Sequence, residues 1–86
     1  MALETVNITV NAAGYTAIGS SVVALTVTEK LVGDMLVHVV AAGGAAPTIA
    51  SPGQWWDKEY RYEGGTPADI YILSPNGTAT VGVVRE

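Results

Sequence analysis

The sequence predicts an all-β domain, a small β-sandwich or jelly-roll-like barrel of six to eight short antiparallel strands. Three observations predict it. The apolar residues are mostly Val and Ala, with no Phe. Together with Ile, Thr and Tyr they suit the pleated, half-buried surface of a strand. Ten glycines and four prolines punctuate the chain, with turn signals about every 8 to 12 residues, the rhythm of sandwiches and barrels. No window carries the 3.6-residue apolar period and caps of a helix.

The first strand spans Thr5–Val10, where Val6, Ile8 and Val10 share one face and Thr5, Asn7 and Thr9 the other. Asn11–Gly14 is a turn, and Tyr15–Ile18 a short strand before Gly19. Ser21–Thr28 follows, with Val23, Leu25 and Val27 opposed to Val22, Ala24 and Thr26. Glu29–Asp34 reads as a turn or single helical turn, with its corner at Gly33-Asp34. Leu36–Ala42 is apolar on both faces, Val37 and Val39 against Leu36 and Val40, so burial on both sides is expected. Gly43–Pro52 is a loop. Trp55–Tyr62 alternates weakly as one strand and ends at Gly64-Gly65. Asp69–Ser74 is a strand, and Thr78–Arg85 returns from it. Between them, Pro75-Asn76-Gly77 predicts the tight turn of a hairpin, because Asn-Gly accepts positive φ at low cost.

The 86 residues form a single domain, 1–86, with no internal repeat or linker. A chain this short buries only about 60 to 65 % of its unfolded surface. It has no cysteine for a disulfide, and its single histidine fits none of the common zinc frameworks, so no metal is expected. Net charge is −4, with four Lys and Arg in all. That disfavours nucleic acid, whose backbone needs a basic patch, and an anionic membrane surface. The longest apolar stretch, Met35 to Pro47, is too short to cross a bilayer as a helix. The opening MALETVN lacks the basic and apolar regions of a secretory signal.

Several strands are apolar on both faces, whereas a two-layer sandwich has one interior. The surplus apolar face needs a cover, and a second copy of the chain supplies one. A homo-oligomer is therefore expected.

No constellation names a reaction. His38 shares a strand face with Leu36 and Val40, and it reads as a partly buried or interfacial imidazole. Ser20, Ser21, His38 and Asp34 lack the strained elbow of a nucleophilic triad. Asp57, Glu59 and Glu63 lie among Lys58 and Arg61, as on a charged sheet edge that resists aggregation. No catalytic residue, cofactor or metal site is expected.

The stretch Gly53–Gly65, GQWWDKEYRYEGG, holds both tryptophans. As one strand it projects Trp56, Tyr60 and Tyr62 to one face and Trp55 to the other. These aromatics would fill a core built of small residues or anchor a subunit interface. Alternatively they would stack on sugar rings. The expected anchors are Trp55, Trp56, Tyr60, Tyr62, Leu36, His38 and Val40, with Asn76 and Gly77 at the turn.

The order of segments resembles a known group. Leu36-Val-His-Val-Val-Ala-Ala leads to Ala46-Pro47 and Ser51-Pro-Gly53. Asp69-Ile-Tyr-Ile-Leu-Ser74 and a Gly turn then precede Ala79-Thr-Val-Gly-Val-Val84. With the opening TVNITVNAAGYTAIG, this is similar to the small β-rich virion proteins of tailed bacteriophages. The Trp55-Trp56 pair is not part of that pattern. The resemblance implies a non-enzymatic head decoration (cement) protein on the capsid surface. It would be made in the host cytoplasm and partnered by the major capsid protein and by its own copies, a trimer being one form. The alternative it leaves open is a carbohydrate-binding or host-adhesion module of a fibre, knob or tail.

Overall fold

The computed structural model describes residues 3–29, 35–56 and 58–86. Eight strands are formed: β1 (Glu4–Val10), β2 (Thr16–Val22), β3 (Leu25–Glu29), β4 (Met35–Ala41), β5 (Gln54–Trp56), β6 (Glu59–Tyr62), β7 (Ala68–Leu73) and β8 (Ala79–Arg85). They make two antiparallel sheets, the first ordered β1-β8-β3-β6 and the second β2-β7-β4-β5. This order is that of a jelly roll, eight strands wound as two Greek keys. The expected all-β sandwich is the fold observed.

The chain changes sheet at nearly every turn, and β4 and β5 are the one consecutive pair that stays in a sheet. Between the sheets lies a core of small and medium residues. Leu25, Val27, Val81 and Val83 of the first sheet meet Ile18, Met35, Val37, Ile70 and Ile72 of the second, and all are essentially inaccessible. Each sits at alternate positions of its strand, so the period of two in the sequence is the direct cause of the packing.

Four expectations need correction. Ser21–Thr28 is not one strand: Ser21 and Val22 end β2, and a break at Val23-Ala24 carries the chain to β3 in the other sheet. β2 is longer than Tyr15–Ile18 because two register shifts, each one residue, bend it around Gly19. Second, Trp55–Tyr62 is two strands, with Lys58 at φ 71 between them.

The third correction concerns Pro75-Asn76-Gly77, which closes no hairpin. β7 and β8 belong to different sheets, and the turn bridges them. Gly77 N–H donates to the Ser74 carbonyl at 3.3 Å, and Ser74 Oγ donates to the Gly77 carbonyl at 2.6 Å. Asn76 has no positive φ, whereas Gly77 has φ 122. Ser at the first position, Pro at the second and Gly at the fourth are the preferences of a type I turn rather than the hairpin type I′. Fourth, β4 is buried on one face only: Met35 and Val37 face the core, and Leu36, His38 and Val40 are half-buried on the outside. The corner expected at Gly33-Asp34, and Asp57 with it, lie outside the described residues.

Candidate functional site

The outer face of the second sheet collects most of the residues that the sequence singles out. Leu36, His38 and Val40 follow one another there along β4. Leu36 has Trp55 of β5 as its neighbour on one side and Leu73 of β7 on the other. His38 lies beside Tyr71, and Val40 beside Asp69.

Part of this face is covered by the chain itself. His38 Nδ1 donates to the Pro52 carbonyl at 2.6 Å. A carbonyl only accepts, so Nδ1 carries the proton. The Tyr15 ring lies 5.7 Å from the imidazole, tilted by 56°, and its hydroxyl donates to the Ser51 carbonyl at 3.3 Å. Burial pushes the Tyr15 phenol pKa up from its ordinary value. Residues 48–51 form a turn of their own: Ser51 N–H donates to the Thr48 carbonyl, and Thr48 N–H to Ser51 Oγ, both at 2.9 Å. Gly53 lets this segment lie close, because a Cβ there would collide with the Tyr15 hydroxyl and come within 3.0 Å of Leu36 Cβ. Thus His38 is a fastening point for the loop.

Two large apolar side chains of this region are open to solvent. Trp55 is 61 % exposed and Ile49 is 60 % exposed. Trp56, the next residue, is 6 % exposed and belongs to the core. Among the described residues, the buried indole Nε1 of Trp56 has no hydrogen-bond partner, so the ring is held there by its volume.

Tyr60 and Tyr62 pack against the same core from the first sheet and are half-buried. The Tyr62 hydroxyl donates to the Thr66 carbonyl at 2.7 Å. Tyr60's phenol is pushed up by burial and, to a lesser degree, by Tyr62. The three aromatics expected on one face of one strand therefore do face one way, into the interior, but from opposite sheets. They form no outward row on which sugars could stack, and Trp55 is the one ring of the stretch that faces solvent.

Several of the described charged residues play structural parts. Arg61 pairs with Glu59 at 3.1 Å on the exposed side of β6. Asp69 and Arg85, which the sequence did not single out, fasten the two bulges of β2. Arg85 Nη1 donates to the Ile18 carbonyl at 2.7 Å, and Asp69 accepts from Ser21 N–H at 2.8 Å and from Gly43 N–H at 3.1 Å. A charge at the end of an otherwise uncharged strand was the signal available. His38 has Tyr15 and Pro52 as neighbours in these contacts, and Asp34 lies outside the described residues. Among the described residues, no three His, Asp or Glu side chains gather at one point.

Comparison of the chain with protein-family models, with curated proteins and with solved structures gives no match.

Proposed function

We propose that this chain is a non-enzymatic structural protein of a bacteriophage virion: a capsid decoration (cement) protein that binds the outer surface of the head, against the major capsid protein, and stabilises it. It is made in the host cytoplasm and acts as a homo-oligomer on the particle. The observation that carries this reading is the division of labour between adjacent tryptophans. Trp56 fills the core, and Trp55 stands out of the second sheet beside Leu36 and the fastened loop. An indole held outward on a strand is the kind of anchor that dominates protein interfaces. The segment order quoted above, which resembles small phage virion proteins, supplies the partner. The jelly-roll order agrees, since viral capsid domains are among the proteins built on it; lectin domains and cupins share it, so topology alone does not choose.

The test mixes the purified chain with phage heads that lack a decoration protein. Co-sedimentation in stoichiometric amounts, with heads that withstand higher temperature, is the expected result. Trp55→Ala should weaken binding about 30-fold, the loss of a 2 kcal/mol anchor, without unfolding the chain. No binding to heads, combined with Trp55-dependent retention on immobilised glycans, would transfer the protein to the adhesion reading.

A further inference from the structure

The two sheets have four edge strands, and three of them are blunted. β2 carries two bulges and a positive φ at Ser21. β5 is three residues long and follows Pro52-Gly53. β6 is four residues long, carries Glu59 and Arg61, and is preceded by Lys58 at φ 71. Short length, charge, proline and bulges are the means by which sheets prevent edge-to-edge pairing.

β1 is neither short nor bulged, and it has no proline or positive φ. It runs seven residues in unbroken register with β8, and its sequence ETVNITV contains no Pro, Gly or Lys. Its one charge, Glu4, is engaged at 2.8 Å by Arg85. Pairing with β8 uses one side of β1 and leaves the other row of N–H and C=O groups at the sheet edge. The interior is also less closed here: Val6 and Ile8 are half-buried, whereas Val81 and Val83 beside them are inaccessible.

We infer that the β1 edge is the self-association surface, where β1 of a second copy pairs antiparallel about a twofold axis through Asn7 and joins the two first sheets into one of eight strands. The inference rests on the self-association proposed above and names its surface. The strand is complementary to itself in this register. Residues opposed in an antiparallel pair point to the same face, so inward residues must meet inward ones. Pairing position 4 with 10, 5 with 9, 6 with 8 and 7 with 7 uses the full length of the strand. It sets Val6 against Ile8 on the inner side, where each covers the other's remaining exposure. Thr5 meets Thr9 and Asn7 meets Asn7 on the outer side. Glu4 meets Val10, so no like charges oppose. A register slipped by one residue would set Val6 against an outward residue and turn the apolar side to water.

Because the chain has no cysteine, a single introduced thiol reports the register. In Asn7→Cys the two Cα atoms would lie about 4.5 to 5.5 Å apart, within disulfide range. In Thr5→Cys they would lie about 13 Å apart, four residues along the strand, and out of range. Under mild oxidation the first should convert to a covalent dimer and the second should not. In sedimentation, Thr5→Lys with Thr9→Lys opposes lysines in both symmetry-related pairs and should raise the dimer Kd about tenfold. Thr5→Lys with Thr9→Glu opposes Lys to Glu and should restore dimerisation. Both sites are exposed, so circular dichroism should show an unchanged fold. An oligomer that ignores these charges, or that cross-links equally at both positions, overturns the β1 edge but leaves self-association standing. A wild-type monomer at about 100 μM overturns both. Cross-linking of Asn7→Cys to a capsid protein instead of to itself also overturns the inference and assigns the edge to that partner. None of these outcomes replaces the head-binding test of the virion role, which co-sedimentation reads separately.

Discussion

Arg85, in the last strand of the first sheet, donates through Nη1 to the backbone carbonyl of Ile18 in the second sheet, at 2.7 Å. Ile18 is the extra residue of a bulge, between Ala17 paired with Tyr71 and Gly19 paired with Ile70. A bulge leaves backbone groups outside the ladder, and a buried one without a partner is costly. The guanidinium therefore closes the defect and ties the sheets together.

Replacing Arg85 by Met should cost about 1.5 to 3 kcal/mol, the range for a hydrogen bond to a charged group. Glu4→Gln removes only the exposed ion pair with Arg85 and should cost less than about 1 kcal/mol. Urea unfolding of both variants checks the ratio; equal losses would mean that the ion pair, not the bulge, is what Arg85 serves.

Asp69 has the corresponding role at the second bulge, and it also holds the start of the β4–β5 loop through Gly43. Asp69→Ala should destabilise by roughly 2 kcal/mol, since two charge-assisted acceptors are lost. Limited proteolysis should find the loop cut sooner in this variant.

Trp56→Ala should cost about 3 to 5 kcal/mol through the cavity it leaves, whereas Trp55→Ala should stay within about 0.5 kcal/mol of the parent, as exposed substitutions do. Fluorescence separates the rings directly. The Trp55→Ala protein should emit at short wavelength and resist acrylamide, and a fully quenched signal there would place Trp56 in water.

Gly77→Val should destabilise by roughly 1 kcal/mol or more. Nothing crowds a Cβ at this site, but φ is 122 and disfavours a β-branched residue. Asn76→Ala should be nearly silent, because Asn76 has no positive φ. A hairpin turn of type I′ would have made both substitutions costly. Melting temperatures of the pair decide.

Alkali should weaken the fold through its tyrosines. The Tyr60 phenol is raised above 10.0 by burial and then by Tyr62. The unfolded chain thus releases that proton first, and the stabilisation, complete below the unfolded value, is lost as pH climbs through the folded one. Tyr60→Phe should flatten the fall in melting temperature above about pH 10; an unchanged slope would assign the loss to other groups.

The strands were legible because each core residue sits two positions from the next, as in Val81-Gly82-Val83. What the pattern could not convey was sheet membership. Trp56, Tyr60 and Tyr62 all point inward and keep even spacing, so alternation runs unbroken across the point where the chain leaves one sheet for the other. The break in Ser21–Thr28 was hidden for another reason: Val22, Val23, Ala24 and Leu25 are all apolar, so the change of face between Val22 and Leu25, which reach one core from opposite sides, left no gap in the pattern. Pro75-Asn76-Gly77 announced a turn correctly, but a turn's residues do not say which strands it joins. For the anchors, size pointed to a tryptophan as a core filler but did not choose between Trp55 and Trp56; the structure buries Trp56. The fastening of His38 to Pro52 depended on a loop path that no local pattern encodes.

The alternation of consecutive strands between the sheets has a kinetic consequence. Neither sheet can be laid down as a local meander, since each draws strands from both ends of the chain. β1 and β8 pair first residue region to last, Glu4 with Arg85, so the ends must meet before the first sheet is complete. Loop closures of this length are entropically expensive and place such topologies among slow folders, in the range of milliseconds to seconds. Removing β1 or β8 should accordingly impair folding as a whole rather than trim one edge, and a nascent chain gains this sheet only once β8 has emerged.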